Sequence, residues 1–249
     1  MVGPSGTFEF LGLSLAFRSS GSGPALVLIH GWGANGREWD DSGWISALAT
    51  GRTLIIPDLR GHGASAKPHD PAVYAMECLA QDVVALLDAL DQPSADIFGY
   101  SMGGTVALWV AVLAPSRVRS LVAGGVAGES PRETIDMGRA LLGLEPMTSR
   151  ARRYREYALS MGEGDFAALG ACLLTGLPAP PLAELAVYGG EALLAAGEND
   201  RRRDLTEELA RGLPGGRFLL LHGADHMTGY TDPRFKEAVA EFLTEVSPT

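Results

Sequence analysis

An α/β fold, with a mostly parallel eight-stranded sheet, helices on both faces and a short helical insertion, is the architecture this sequence predicts. Three observations carry that expectation. Apolar runs of strand length recur along the chain, segments with helical spacing lie between them, and one interval of about sixty residues contains no convincing strand. The composition agrees: 249 residues with 46% hydrophobic and 20% charged side chains can build a large folded core.

The first signal is a hairpin over residues 7–17. Its two short pieces flank Leu11-Gly12, with Phe8 and Phe10 on one side and Leu13, Leu15 and Phe17 on the other. Nearly continuous apolar runs follow at 25–29, 53–56, 96–98, 118–123, 192–195 and 218–221, the pattern of strands buried on both faces of a parallel sheet. Leu79, Val83, Leu86, Leu87 and Leu90 recur every three or four residues, as do Phe235, Val239, Phe242, Leu243 and Val246, so both segments read as amphipathic helices. Another helical segment, 105–114, stops before Pro115. The strandless interval sets the domain division: 1–127 and 191–249 form the core, and 128–190 a helical cap inserted between two of its strands. In such a sheet, ligands bind outside the carboxyl ends of the strands.

Charge and punctuation narrow the function. With 20 Lys+Arg against 30 Asp+Glu, the net charge of −10 argues against nucleic-acid binding, which needs a basic face. Cys78 and Cys172 show no close pairing, so neither a disulfide framework nor a metal site is expected. No basic-then-apolar leader occupies residues 1–10 and no apolar run reaches about 18 residues, so a cytoplasmic protein without a membrane span is expected. Glycine is about 13% of the chain, near twice the ordinary ~7%, which signals many tight turns or close backbone approaches.

The chemistry centres on Gly99-x-Ser101-x-Gly103. A buried strand precedes the motif and a helix follows, so Ser101 occupies a sharp turn at the sheet's carboxyl edge, beside helix N–H groups suited to a developing anion. A serine needs a neutral histidine to accept its proton, and a carboxylate to hold that histidine's tautomer. Of five histidines, His226 follows the last apolar run and stands at the same edge. Asp200, in a loop after the preceding run, is the candidate acid, with Glu198, Asp204 and Asp225 as competitors.

Four motifs in order, His30-Gly-Trp-Gly33, Asp58-Leu-Arg-Gly-His-Gly63, Gly99-Tyr-Ser-Met-Gly103 and Gly197-Glu-Asn-Asp200 with Asp225-His226, make the sequence resemble the α/β-hydrolase fold family, in its small cofactor-independent esterase-like branch. The resemblance implies Ser101 as nucleophile, His226 as general base then acid, and Asp200 as its orienting carboxylate. It further implies an oxyanion hole made by the backbone N–H groups of Trp32 and Met102. Ser101 at the nucleophile position rules against the aspartate-nucleophile members, and a three-glycine HGGG stretch is absent. His30 is expected to be structural, and Asp58, Arg60 and His62 to hold their own turn.

The function expected from these residues is hydrolysis of a small or medium carboxylic ester, lactone or thioester through an acyl-enzyme, with no metal or organic cofactor. The alternatives are a carbon-carbon hydrolase, a perhydrolase or a lyase of the menaquinone-biosynthesis type in the same site, or a ligand-binding receptor-like protein. The expected partner is a small-molecule substrate, with oligomeric state left open. Tyr100, Arg153 and Arg155 are candidate substrate-binding residues, the arginines coming from a basic cluster with Arg150 and Arg152 that could receive a carboxylate. Met137, Met147 and Met161, with Leu141, Leu142 and Leu144, are expected to form the insertion's apolar underside and roof the site.

Overall fold

The computed structural model describes residues 5–126 and 131–246. Eight strands form one sheet: β1 (Ser5–Phe10), β2 (Leu13–Gly21), β3 (Ala25–Ile29), β4 (Thr53–Pro57), β5 (Ala95–Tyr100), β6 (Val118–Gly124), β7 (Glu191–Gly197) and β8 (Gly215–Leu221). Their spatial order is β1-β2-β4-β3-β5-β6-β7-β8. The β1–β2 and β2–β4 pairs are antiparallel and all the others parallel. Leu11 and Gly12 close the first hairpin with φ of 48° and 76°, the left-handed pair that a two-residue turn requires.

Helices connect the strands: α1 (Glu38–Asp41), α2 (Trp44–Leu48), α3 (Met76–Ala89), α4 (Met102–Leu113), α5 (Pro131–Leu141), α6 (Ser149–Ser160), α7 (Phe166–Leu173), α8 (Leu182–Leu185), α9 (Arg203–Gly212), α10 (His226–Thr231) and α11 (Pro233–Val246). Side chains alternate along each central strand, so the sheet feeds two cores. Val27, Ile29, Ile97 and Leu121 face one layer, with Leu79, Val83 and Leu86 of α3 and Val106 and Val110 of α4. Leu26, Leu28, Phe98 and Val122 face the other, with Trp39, Trp44, Phe235 and Val239. Every residue of β3 and β5 is buried, as their nearly continuous apolar character predicts, and Asp96 within β5 pairs with Arg52 at 2.8 Å. β8 differs from the two-sided burial expected of it: it pairs with β7 alone, and most of its residues stay partly exposed.

Between β6 and β7 the described residues form α5 to α8 and no strand. The expected insertion boundary at Gly128 lies outside the described residues. β4 and β5 flank β3 on opposite sides, so the chain changes direction there and leaves a crevice beyond the carboxyl ends of β3 and β5. The His30–Gly33 loop and Ser101 both emerge into it.

Candidate active site

Ser101 joins β5 to α4 with φ 57° and ψ −121°, a strained conformation for a residue with a side chain, costing on the order of 1–3 kcal/mol. Two glycines make the turn possible. A Cβ on Gly99 would run into the Gly103 carbonyl oxygen, and one on Gly103 would strike the Ile29 carbonyl oxygen. Ser101 N–H donates to Gly124 O (2.8 Å) and Thr105 N–H to Ser101 O (3.1 Å), fixing the elbow between β6 and the first turn of α4.

The structure brings Ser101, His226 and Asp200 into one hydrogen-bonded row. Ser101 Oγ lies 3.1 Å from His226 Nε2, and His226 Nδ1 lies 2.8 Å from Asp200 Oδ2. The Asp200 carboxyl is buried, yet the hydrogen bond and charge of His226 and the Arg202 backbone N–H at 3.0 Å outweigh that burial and hold it below the usual carboxylate range. It therefore faces His226 as an anion. Asp225 caps α10 by accepting from Met227 N–H (3.0 Å) and Thr228 N–H (2.8 Å), which sets the helix start and with it His226. Tyr100 donates its O–H to His226 O at 2.6 Å. Gly125 backs the imidazole so closely that a Cβ there would approach His226 Cε1 to 2.8 Å.

The competing acids are engaged elsewhere. Glu198 accepts from Gly223 N–H (2.9 Å) and lies 3.7 Å from His222, Asp204 pairs with Arg203 (2.8 Å), and Asp225 serves the cap. His30 shapes the neighbouring loop: Leu59 N–H donates to its Nε2 (3.0 Å), leaving Nδ1 to donate to Gly31 O (2.8 Å). Burial keeps its pKa below the ordinary value, and burial with the nearby His30 pushes that of His62 down to about 3. Arg60 grips Asp82 through two bonds of 2.6 and 2.5 Å, and Asp58 accepts from the backbone of Gly36 and Ala64 (both 2.8 Å). These residues hold loops in place and do not reach Ser101.

A Cβ on Gly31 would lie 3.5 Å from Ser101 Cβ, so the loop carrying Trp32 runs directly beside the serine. Met102 opens α4, where an N–H has no carbonyl one turn earlier to bond. The Trp32 indole N–H donates to Leu169 O (3.1 Å) and its ring packs 5.6 Å from Tyr154, which fastens the loop to α7 and α6.

Ser101 stands between two cavities. The smaller, of about 380 Å³, is walled mainly by apolar groups, including Met102, Leu177, Pro178, Leu205 and Leu209. The larger, of about 560 Å³, is lined by Trp32, Tyr100, Tyr154, Tyr157, Glu38 and four arginines, 150, 153, 201 and 202. Thus Tyr100 and Arg153 border the space next to Ser101, whereas Arg155 lies 4.7 Å over the Phe166 ring and lines neither cavity. Arg155 and Arg153 lie two residues apart on α6, a spacing that turns them to different sides of the helix. The expected methionine-leucine roof also differs. Met137 is buried but lines neither cavity, Leu144 and Met147 are exposed, and tyrosines, arginines and the 177–180 segment cover the site instead.

The sequence reading missed Glu38 and Tyr157, whose side chains meet in the larger cavity. It also missed Glu163, a buried carboxylate accepting from Asn35 Nδ2 (2.9 Å) and Gly63 N–H (2.7 Å), which ties the loop after α6 to two core loops. Glu38 stands before Trp39 in an ordinary polar stretch, and nothing in its local pattern marks it.

Residues 24–146 match the model of a family described as the alpha/beta hydrolase fold. A hydrolase structure from Pseudomonas aeruginosa superimposes with a TM-score of 0.84 at 27% identity, covering 97% of this chain and 98% of that one. The chain has the α/β-hydrolase fold. Among curated relatives, the 2-hydroxymuconate semialdehyde hydrolase of a Pseudomonas species is 37% identical over 145 residues, 57% of this chain and 50% of the relative. The 3-oxoadipate enol-lactonase 2 of Acinetobacter baylyi is 32% identical over 149 residues, 58% of this chain and 54% of the relative. The chain spans between a fifth and about half of the length of the curated relatives it matches. No helix among the described residues is long and apolar enough to cross a membrane.

Proposed function

We propose that this α/β-hydrolase-fold protein is a serine hydrolase that cleaves a small or medium carboxylic ester, lactone or thioester through an acyl-enzyme. The unbroken row from Ser101 Oγ through His226 to Asp200, beside two cavities, carries that reading. His226 Nε2 takes the Ser101 proton as Oγ attacks the carbonyl carbon, and Asp200 stabilises the imidazolium that forms. The carbonyl oxygen, now an anion, receives the N–H groups of Trp32 and Met102, each donor contributing about 3 kcal/mol to the transition state. The imidazolium returns its proton to the departing alcohol, thiol or lactone oxygen. Water then repeats the sequence on the acyl-enzyme, with His226 again as base, and releases the acid. Ser101, His226, water and the leaving group exchange every proton, so the route needs no metal or organic cofactor.

Turnover of p-nitrophenyl butyrate and labelling by a fluorophosphonate test this reading. Both are expected for the wild type and neither for Ser101→Ala; a folded wild type that shows neither would refute it. Carbon-carbon bond hydrolysis is the second reading, favoured by the 37% identity to a protein named as a semialdehyde hydrolase. It predicts faster turnover of a vinylogous 1,5-diketone than of any butyrate ester.

A further inference from the structure

We propose that Glu38 reads a hydroxyl group on the substrate, so that the larger cavity selects esters bearing a neutral hydrogen-bond donor near the scissile carbonyl. The proposal rests on the serine-hydrolase reading of Ser101 and names the substrate feature that the site takes. Glu38, on α1, lines the same cavity as Ser101 and His226. Its Oε1 accepts the Tyr157 O–H at 2.8 Å, which orients the carboxyl and leaves acceptor positions on Oε2. The carboxyl also lies by the Gly31 N–H, one residue before Trp32, so a group reaching it sits close to the carbonyl attacked by Ser101.

The surroundings decide which donor fits. Among the described residues no Lys or Arg pairs with Glu38, although four arginines border the cavity. Arg150 and Arg201 both bond Glu133 Oε2 (2.9 and 3.2 Å), and Arg202 lies 3.6 Å from Asp200. A carboxyl that keeps an open acceptor position toward a cavity gains a hydrogen bond when a ligand donor reaches it. A carboxylate would meet Glu38 itself, and an ammonium group would enter a cavity whose four arginines outnumber its three carboxylates, Glu38, Asp200 and Asp225. A hydroxyl carries no charge and both donates and accepts, so it matches a carboxyl whose pKa burial raises to about 7 in either protonation state. The apolar wall of the smaller cavity then receives the rest of the substrate.

The test compares kcat/KM for four butyrate or succinate esters: ethyl butyrate, 2-hydroxyethyl butyrate, butyrylcholine and monoethyl succinate. The wild type is expected to prefer 2-hydroxyethyl butyrate over ethyl butyrate by about tenfold or more, since a site built to bond a hydroxyl rejects the analogue without it. Glu38→Leu brings that ratio close to one, and Glu38→Gln, which keeps an acceptor oxygen, retains most of it. Binding of the same esters to Ser101→Ala, followed by tryptophan fluorescence, yields the preference without turnover. A wild-type ratio near one, a ratio untouched by Glu38→Leu, or a preference for butyrylcholine or monoethyl succinate would overturn the proposal. Absence of both turnover and fluorophosphonate labelling would instead overturn the hydrolase reading, while the binding comparison still decides the role of Glu38.

Discussion

Replacing Asp200 by Asn removes one charge from the row and keeps its shape. The Asp200 side chain is 1% exposed and its Oδ2 lies 2.8 Å from His226 Nδ1, so it faces the imidazolium with almost no intervening water. Two unit charges separated by about 4 Å in an environment of effective dielectric ~20 attract by about 4 kcal/mol. At about 1.4 kcal/mol per factor of ten, kcat should fall roughly a thousandfold. KM should move little, because Asp200 acts on a charge that exists only after Ser101 attacks. The assay is steady-state hydrolysis of p-nitrophenyl butyrate at neutral pH, with Ser101→Ala as the floor and a melting curve to confirm folding. A folded Asp200→Asn protein with more than a tenth of wild-type kcat would refute the reasoning. So would a larger loss in Glu198→Gln, because Glu198 accepts from Gly223 N–H and does not touch His226.

Gly125→Ala should press a methyl group against the imidazole and lower kcat at least tenfold, with a smaller loss of melting temperature than Gly103→Ala, whose methyl strikes the Ile29 carbonyl oxygen. Glu38 supplies a pH dependence of stability. Its folded carboxyl, raised by burial from 4.5 to about 7, holds its proton more tightly than the unfolded one, so its contribution is full below about pH 4.5 and is lost as pH rises through 7. The wild-type melting temperature should therefore fall more steeply over that window than that of Glu38→Gln; parallel curves would contradict the assignment. Glu163→Ala leaves Gly63 N–H without its acceptor and Asn35 Nδ2 with Met161 O alone, at about 1–3 kcal/mol. Faster proteolysis between α6 and α7 than elsewhere should reveal that loss, and cleavage unchanged from wild type would argue against the anchor.

Much of this architecture was legible because it rests on local periodicity. Strand-length apolar runs end in glycine-rich turns, and a strand end fixes which residues emerge at the carboxyl edge, so Ser101, Asp200 and His226 could be placed near one another without coordinates. Strands β3 and β5 followed their nearly continuous apolar runs, whereas β8 did not, because edge position depends on how strands are ordered and not on their composition. The short helices α1, α2 and α10 were also hidden, since one or two turns are too few for a repeating pattern. The insertion was legible only as helical; its methionines and leucines suggested a roof that the packed structure builds from tyrosines, arginines and a proline-rich segment.

The sequence by itself determined the alternation of strand and helix, the strained serine turn and the strand ends at which Ser101, Asp200 and His226 emerge. Those features depend on residues within a few positions of each other, where backbone sterics and side-chain period decide the outcome. The tertiary structure decided which carboxylate meets His226, which arginines border the cavity, and that Glu38 meets Tyr157 across 119 residues of chain. Spacing along the chain carries no record of such encounters, because they arise only when the helices between β6 and β7 pack over the loops at the end of the sheet.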